Sequence, residues 1–503
     1  MVFISEIIDK LDPYTGIIVL AFAVLITIFA GFSKNNGIKI FIIIINALSY
    51  TVAFYLIIYS FIKYGPRDGF LTSAGSLELI LSCIILFIGL NVLFFISVSR
   101  FSDDSFIRIV ILLTFSLIPV LLLIMADNII FIFTAFALTI LSIFTLISSL
   151  DREIAGPGEA IGKFGIRVIL PVALMFLGFS VLIGAGGAKN LSGYGSIESA
   201  ADPLLLISAI VFACALYLYF FLYPFQGPYL KMARRISSDA LSVLWFLYIP
   251  AGIILLIKFN RFFNIFIEKN NVYAFIMITV FAFLNLFGAA IGIIRAVSLK
   301  KILSLFILFE IGTMVLARSV ESLGMTSGYF TSYYDLTVLI IILIVFLPLQ
   351  LLIMLLEKNT GKDIIAGTRG LIYKNVYIGI CSIILFLWWI AANIYIFVFE
   401  KFISGSGLMS HGPGGLILFI GYIMALLLMA VNIFRVILVF FKKLPEADGP
   451  GKRAVPRIFY AYIFVSVLLA LSVLILIIIG KMDIGHDHIK IWGSSFDIFS
   501  GRN

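Results

Sequence analysis

Glu310 is the residue in this sequence that is best placed for proton chemistry. It lies within the apolar run LKKILSLFILFEIG, eleven residues after Leu299. A charged side chain at the centre of a bilayer is costly, so such residues mark ion or proton routes by default. At 1.5 Å of helix rise per residue, the carboxyl would lie near mid-membrane. Two interpretations are open: a proton relay, or a neutral acid that is hydrogen-bonded to a neighbouring helix.

The other charged candidates stand nearer the ends of apolar runs. Lys401 follows Glu400 in YIFVFEKF, and Lys163 follows Glu159 by four residues. Each pair can serve as an interfacial ion pair or as part of a proton path. Arg435 can extend to the membrane surface, which is a common use of long basic side chains.

Four asparagines also stand within apolar runs. They are Asn91, Asn285, Asn393 and Asn432. Amide side chains in membrane helices more often bond one helix to another than bind a ligand. We therefore expect them to hold helices together.

No pattern in the sequence indicates a cofactor or a metal. Cys83, Cys214 and Cys381 stand far apart within apolar runs, without a CxxC spacing. The segment GHDH holds His486 and His488, which we expect to be solvated loop residues rather than metal ligands. The sequence contains no Walker motif, dinucleotide-binding glycine run or nucleophile elbow. We therefore predict no cofactor and no metal.

The composition places these residues in a membrane. Of the 503 residues, 62% are hydrophobic and 12% are charged. A soluble domain has about a quarter of charged residues, so this chain could not cover itself with a polar surface. The formal charge of +9 is explained better by basic cytoplasmic loops than by nucleic-acid binding. We predict an all-α polytopic membrane protein whose partners include the lipid bilayer and no nucleic acid.

The apolar runs predict fourteen transmembrane helices. A helix needs about 20 apolar residues to cross the hydrocarbon core. The predicted spans are 15–32, 37–62, 76–100, 106–126, 128–149, 165–186, 202–225, 238–258, 272–294, 299–317, 334–356, 377–402, 415–441 and 457–480. Helices four and five are separated only by Asp127, but a single span of 44 residues would be far too long.

The basic residues are distributed unevenly over the predicted loops. Of the 35 Lys and Arg residues, 23 lie in or beside loops that follow odd-numbered helices, and 12 lie in the even loops and the tails. The positive-inside rule makes the odd loops cytoplasmic. Both termini are then external, with the protein in the cell membrane. Merging helices four and five would destroy this alternation.

Helices four to ten carry segments that resemble a known family. The segments are ADNIIFIFTAFALTIL at the junction of helices four and five, EAIGKFGI before helix six, YPFQGP at the end of helix seven, and RAVSLKKILSLFILFEIG in helix ten. They resemble, in turn, the family's fourth-to-fifth helix junction, its Glu–small–Lys–aromatic motif, its Pro-Phe-His, and its small residues with a basic pair and a Gly. The family is the antiporter-like membrane subunits of respiratory complex I, related hydrogenases and Mrp-type cation/proton antiporters. Within that family, the resemblance is to the N-type subunit of NADH-quinone oxidoreductase.

The resemblance implies a fold with two inverted five-helix repeats within one membrane domain, 1–503. The implied parts are peripheral helices one to three (1–100), a first repeat (101–258), a second repeat (272–441), a last helix (457–480) and an external tail (481–503). It also implies other membrane subunits as partners in a proton- or cation-translocating complex. Any redox site would belong to those partners, so this chain would at most be one subunit of a complex I-like or hydrogenase enzyme.

The central row of titratable residues in that family is interrupted here. Its helix-five Glu falls at Ala137, its helix-seven Lys at Tyr219, and its helix-eight Lys near Ile249 and Pro250. Apolar side chains cannot exchange a proton, and a Tyr with a pKa near 10 is a poor substitute for Lys. The helix-ten His of the family falls at Glu310, which can titrate.

The family's helix-twelve Lys falls at Lys401 when RGL, 369–371, is aligned without gaps onto its counterpart. That helix is normally broken by Gly and Pro, whereas IAANIYI has neither, and Asn393 falls at the expected break. The proton-path candidates are therefore Glu310, Lys401, Tyr219, Lys163 and Glu159.

Three classes of function are open on the sequence. The first is a membrane-arm subunit that either conducts protons along a shortened route, through Glu310 and Lys401, or has lost conduction and serves structurally. The interrupted row favours the structural version. The alternative is a free-standing secondary transporter or lipid flippase, which would need a polar central cavity. The third class is a membrane enzyme that acts on lipid-linked substrates, which would need clustered Asp, His or Arg in an external loop. The predicted external loop GAGGAKNLSGYGSIESAAD lacks such a cluster.

Overall fold

A computed structural model describes most of the predicted helices. The described residues are 14–31, 35–64, 67–68, 73–74, 76–151, 157–186, 203–260, 271–322, 335–340, 342, 345–350, 353–354, 376–394, 413–442, 489–491 and 494–496. The predicted fourteenth helix, Lys401, the histidine pair and both ends of the chain lie outside these residues.

The described chain is almost entirely helical. The helices are α1 (Thr15–Ala30), α2 (Asn36–Tyr64), α3 (Ser76–Arg100), α4 (Phe106–Met125), α5 (Ile129–Leu150), α6 (Pro157–Gly186), α7 (Pro203–Tyr219), α8 (Gly227–Arg235), α9 (Ser238–Val243), a π-helical segment (Leu244–Tyr248), α10 (Ile249–Lys258), α11 (Asn271–Ile294), α12 (Leu299–Ser322), α13 (Asp335–Gln350), α14 (Val376–Asn393) and α15 (Pro413–Phe441). Two short antiparallel pairs, which the sequence did not predict, join β1 (Arg67–Asp68) to β2 (Ser73–Ala74) and β3 (Ile489–Ile491) to β4 (Ser494–Phe496).

The first thirteen predicted spans each correspond to an apolar helix. Among the described residues, nine are long and apolar enough to cross a membrane, and four shorter apolar helices account for predicted spans one, seven, eleven and twelve. The all-α multi-pass fold class is therefore confirmed.

The separation of helices four and five is also confirmed. The backbone of Ala126 is extended, with ψ 134°, so α4 cannot continue through it. Asn128 then caps α5, because its Oδ1 accepts hydrogen bonds from the N–H groups of Ile130 and Phe131 at 3.1 and 3.3 Å. An Asn at this position satisfies donors that the first helical turn leaves without partners.

Three predicted boundaries were wrong: the start of helix six and the ends of helices seven and ten, since α12 continues to Ser322 and not only to residue 317. Helix six was predicted from residue 165, but α6 starts at Pro157, a residue suited to a first helical turn. Helix seven was predicted to run to residue 225, but α7 ends at Tyr219. The chain reverses there through Phe221, whose φ of 52° is rare for a residue with a side chain, and a cis bond between Tyr223 and Pro224.

The predicted eighth helix contains a π-helical turn. The N–H of Ile249 bonds to the carbonyl of Leu244, five residues back, instead of four. Pro250, which follows directly, has no N–H to offer the preceding turn. Turns of this kind widen the helix and leave carbonyls available to other partners.

The eighth and tenth predicted helices form the centre of the bundle. The most apolar part of Ser238–Lys258 is fully buried within the chain, and that of Leu299–Ser319 is 94% buried. The corresponding part of Asn36–Phe61 is only 28% buried, and apolar side chains on α2, α11 and α15 are exposed. The outer helices thus present apolar faces to the membrane.

Polar contacts join the predicted odd-numbered loops on one face of the bundle. Arg100, at the end of α3, donates to Asp239 at 2.8 Å, at the start of α9. Ser237 N–H donates to Asp151, after α5, at 3.1 Å. Burial raises the pKa of this carboxyl, and the bonds from Ser237 oppose the rise. These contacts bring the loops after helices three, five and seven together.

Basic side chains on the same face bind backbone carbonyls. Lys39 Nζ donates to the carbonyls of Phe101 and Asp103 at 2.9 and 3.0 Å. Lys300 Nζ, which is buried, donates to the carbonyl of Ile236 at 2.8 Å. Arg435 likewise donates to carbonyls at the end of α11. These cations neutralise the carbonyl ends of turns and helices, where partial negative charge accumulates.

Candidate functional site

Glu310 lies on α12, in the buried centre of the bundle. Its side chain is 1% exposed. Oε1 accepts a hydrogen bond from Asn393 Nδ2 on α14 at 2.8 Å. The side chain is therefore where the sequence placed it, at mid-helix, and a neighbouring helix supplies a hydrogen-bond partner.

Tyr422 fixes the orientation of Asn393. Its hydroxyl, on α15, donates to Asn393 Oδ1 at 3.2 Å and contacts the carbonyl of Asn393 at 3.3 Å. With Oδ1 accepting from the tyrosine, the amide nitrogen of Asn393 faces Glu310. The same nitrogen also donates to the carbonyl of Trp389 at 3.1 Å. Hydrogen bonds thus join three helices, α12, α14 and α15, through one carboxyl, one amide and one hydroxyl.

The other carboxyl oxygen of Glu310 has no such partner. Among the described residues, Oε2 makes no hydrogen bond of good geometry, and neither does the indole N–H of Trp389, which lies close enough to act on the carboxyl. The Trp389 ring stacks on Phe306, with ring centres 5.0 Å apart, so this side of the site is aromatic. No cation in the described part of the chain pairs with Glu310. A carboxylate would be buried without compensation there, which favours the neutral acid.

Asn285 connects this region to the broken end of helix seven. Its Nδ2 donates to the carbonyl of Leu308 on α12 at 2.6 Å, and its Oδ1 accepts from the N–H of Tyr223 at 3.1 Å. A Cβ at Gly312 would lie 2.7 Å from Asn285 Nδ2, so only glycine permits this approach. Of the four asparagines that were expected to join helices, three bond to other helices, as predicted: Asn285, Asn393 and Asn432. Asn91 donates to the carbonyl of Phe87 in its own helix.

Tyr219 sits in a closed arrangement with Tyr248. The Tyr219 hydroxyl donates to the carbonyl of Tyr248 at 2.6 Å, and the Tyr248 hydroxyl donates to the carbonyl of Tyr219 at 2.9 Å. The two rings are stacked, with centres 4.4 Å apart, and both are fully buried. Tyr248 belongs to the π-helical segment. The proton of each hydroxyl is thus held in a hydrogen bond to a backbone carbonyl.

The surroundings of this tyrosine pair are apolar. Phe136, the neighbour of Ala137 on α5, packs on Tyr219 with ring centres 5.4 Å apart. Ile249 and Pro250 are buried on the opposite helix. The positions where the family resemblance places a Glu and two Lys residues therefore hold no group that titrates near neutral pH.

Glu159 and Lys163 lie at the exposed start of α6. They form an ion pair four residues apart, and both side chains are about two-thirds exposed. Lys163 holds the pKa of the Glu159 carboxyl below its usual value. The structure brings neither residue into hydrogen-bond contact with Glu310 or Tyr219, so their part in a proton path stays a prediction. An exposed pair of this kind adds little stability.

A buried ion pair, which the sequence did not predict, lies at the end of α12. Arg318, near the end of α12, makes two bonds to Asp335, at 3.1 Å to Oδ1 and 2.5 Å to Oδ2. Both residues are buried, and Arg318 also donates to the carbonyl of Met314 at 2.8 Å. The predicted tenth helix ended at residue 317, which placed Arg318 in a loop. The sequence held one signal for Arg318: it follows Glu310 by eight residues, which is about two helical turns.

A second missed contact holds the junction of α4 and α5. Lys258, at the end of α10, donates to the carbonyl of Ala126 at 2.7 Å. This carbonyl belongs to the extended residue that ends α4. In the sequence, Lys258 is a single cation at the end of an apolar run, and nothing beside it indicated that it binds a distant carbonyl.

The fold is similar to those of chains in two membrane complexes. One belongs to respiratory complex I from Thermus thermophilus with bound aureothin: the TM-score is 0.66 and the identity 15%, over 92% of this chain and 97% of that one. The other belongs to the Mrp complex from Dietzia sp. DQ12-45-1b: the TM-score is 0.71 and the identity 12%, over 93% of this chain and 95% of that one. The chain shares its fold with these chains of complex I and the Mrp complex. No family model and no curated protein matches the sequence.

This likeness confirms the fold that the sequence motifs predicted. It extends over almost the full length of both chains, beyond the helices that carry the motifs. Because the sequence identities are so low, the likeness shows a shared architecture but does not show a shared chemistry. The chemistry depends on the residues of this chain.

Proposed function

We propose that this chain is an antiporter-like membrane-arm subunit of a multi-subunit, cation-translocating complex, in which it serves mainly as a structural part. The full-length likeness to chains of complex I and the Mrp complex supports the assembly. The observation that carries the structural role is the closed pair of Tyr219 and Tyr248. A hydroxyl fixed on a backbone carbonyl cannot replace an amine that takes up and releases protons.

The partners in this proposal are the lipid bilayer and other membrane subunits. The enzyme activity of the complex, if it is an oxidoreductase like complex I, belongs to those subunits. Purification of the full chain in a mild detergent, followed by mass spectrometry of the copurifying chains, tests the assembly. Recovery of several membrane subunits in fixed ratio is expected. A chain that purifies alone and transports a solute after reconstitution would favour the free-standing transporter instead.

The structural role predicts that restoring one titratable residue does not restore conduction. In the assembled complex, Ala137→Glu should leave the number of protons moved per turnover unchanged, because Tyr219 and Pro250 still interrupt the row. Ala137→Gln controls for the added volume. A gain in protons moved, in the Glu variant alone, would show that the rest of the row conducts.

A second candidate function is a shortened proton route through Glu310. The free Oε2 atom of this buried carboxyl favours it, since an acid with one unbonded oxygen can exchange a proton. On the structural proposal, Glu310→Gln leaves translocation by the complex intact. Loss of translocation in this variant, with the complex fully assembled, would establish the shortened route.

We further propose that the protein lies in the cell membrane with both termini external. The 23-to-12 division of the 35 basic residues supports this orientation. Single cysteines placed at 227–238 and 442–456, in a chain without its three natural cysteines, would be labelled by an impermeant thiol reagent. Labelling is expected only after the membrane is opened. Labelling of both loops from outside intact cells would reverse the topology.

A further inference from the structure

Two helices on the face formed by the odd loops bring several exposed cations together. The short helix α8 packs against α6, and Arg235 at its end acts electrostatically on Glu159 at the start of α6. This contact places the basic end of α8 beside the first turns of α6. We call the exposed cations of the two helices the basic patch: Lys163, Arg167, Lys231, Arg234 and Arg235.

The helix α8 has the form of a helix that lies at a membrane surface. Tyr229, Leu230, Met232 and Ala233 are buried against the bundle. Lys231, Arg234 and Arg235 are exposed on the other side. A short helix with one apolar and one basic side is suited to the boundary between headgroups and hydrocarbon.

Arg167 extends the patch into the apolar part of α6. Glu159, Lys163 and Arg167 follow one another at intervals of four residues, so they lie along one face of the helix. The neighbours of Arg167 on that side are apolar and exposed: Ile166 is 70% exposed and Leu170 is 55% exposed. A cation among lipid-facing side chains must extend to the membrane surface, and helical side chains point toward the helix start. The guanidinium is thereby directed toward Lys163 and the start of the helix.

We propose that the basic patch binds the phosphate group of an anionic phospholipid, in the leaflet on the side of the odd loops. Five cations face one carboxylate, Glu159, within α6 and α8, and that carboxylate is already paired with Lys163. The positive-inside rule requires only that basic residues lie in the loops of one side, and not that they lie close together. Here the charges lie together on two packed helices, and Arg167 lies within a candidate membrane span. From there its guanidinium extends to the headgroup region, where anionic lipids carry phosphate. The inference is independent of the proposed function.

The test compares lipids and matched variants of the full chain, purified with the partners it carries. The thermal unfolding midpoint is measured in detergent with added phosphatidylglycerol or phosphatidylcholine. The patch variant is Arg167→Gln with Lys231→Gln and Arg234→Gln. The control variant removes three other exposed cations from the same face: Arg108→Gln, Arg295→Gln and Lys442→Gln.

Phosphatidylglycerol is expected to raise the midpoint of the natural chain more than phosphatidylcholine does. The patch variant should lose that difference, with binding roughly fivefold weaker for each cation removed, and the control variant should keep it. Equal effects of the two lipids, or equal losses in the two variants, would overturn the proposal. So would the same rise with inorganic phosphate in place of lipid. Loss of a copurifying chain from the patch variant, with the lipid effect intact, would assign the patch to an acidic protein instead.

Discussion

The centres of the two predicted repeats contain polar groups that are buried equally but bonded differently. In the first, the hydroxyls of Tyr219 and Tyr248 are both donated to backbone carbonyls, in a closed pair. In the second, Glu310 accepts one bond from Asn393 and keeps one oxygen unbonded. Burial alone therefore does not identify a proton site. What distinguishes Glu310 from the tyrosine pair is that one atom of its own titratable group is left without a bond after the structural bonds are made.

The charged pairs in the two predicted repeats also differ, in how deeply they are buried. The ion pair at the start of α6 is exposed, whereas Arg318 and Asp335 in the second repeat are buried. Buried charges demand partners, and removing one leaves the other uncompensated. The second repeat should therefore be far more sensitive to changes of charge than the first.

The largest effect is expected from breaking the buried ion pair. Asp335→Ala should lower the free energy of unfolding by about 3–5 kcal/mol, because it leaves Arg318 buried without its anion. Glu159→Ala, which breaks the exposed pair, is the control and should leave stability unchanged within error. Unfolding by denaturing detergent, followed by circular dichroism, measures both. Equal effects would mean that the two repeats do not differ in this respect.

A smaller effect is expected from filling the space beside the tyrosine pair. A Cβ at Gly252 would lie 2.4 Å from a ring carbon of Tyr219 and 2.7 Å from Phe220. Gly252→Ala should therefore destabilise the protein by about 1–3 kcal/mol through overpacking. At Gly184 on α6, no neighbouring side chain of the described residues would lie within 4 Å of an added Cβ, so Gly184→Ala is the matched control. A silent Gly252→Ala would show that the tyrosine pair is loosely packed.

Glu310 distinguishes a structural from a chemical role at the second centre. Glu310→Ala should cost about 1–3 kcal/mol, because it removes the acceptor of the Asn393 bond. Glu310→Gln should stay close to the natural protein in stability, since its amide oxygen can accept the same bond. The same detergent unfolding measures both variants. If Gln destabilises the protein as much as Ala does, the carboxyl makes a contact that an amide cannot replace.

The smallest effect is expected for removal of one hydroxyl from the first centre. Tyr219→Phe should cost about 1 kcal/mol, since it loses one hydrogen bond but keeps the stacked ring. Proton translocation by the complex should not change. A double-mutant cycle with Tyr248→Phe measures how far the two bonds depend on each other. A loss of translocation in Tyr219→Phe would contradict the structural role of the pair.

The sequence predicted the helices well because apolar length is a local property. Even the separation of helices four and five at Asp127 followed from length and from the alternation of basic loops. The early end of α7 and the π-helical turn did not, because neither has a local apolar signal. Both accompany contacts between distant segments, such as Asn285 with Tyr223 and Tyr219 with Tyr248.

The candidate site was predicted in part for the same reason. Glu310 stood out as an acid in an apolar helix, and Asn393 as a polar residue at an expected break. Their bond depends on two helices 83 residues apart in sequence, which no spacing rule could pair. Arg318 was missed because the predicted tenth helix was ended at residue 317, before this charge, although the helix continues to Ser322. Asp335 was missed because it stands at the very start of the predicted eleventh span. A charge that is neutralised within the bundle does not end the helix.

The lysines and arginines that bind carbonyls have a consequence for biogenesis. In the proposed orientation, Lys39, Lys300 and Arg435 belong to the excess of positive charge that would orient the helices as they enter the membrane. In the finished bundle the same groups hold the ends of neighbouring segments together. On that proposal, insertion and folding depend on the same side chains at different times. A substitution such as Lys300→Gln would act twice, first by weakening the orientation of a newly made helix pair and later by freeing a carbonyl of the assembled protein.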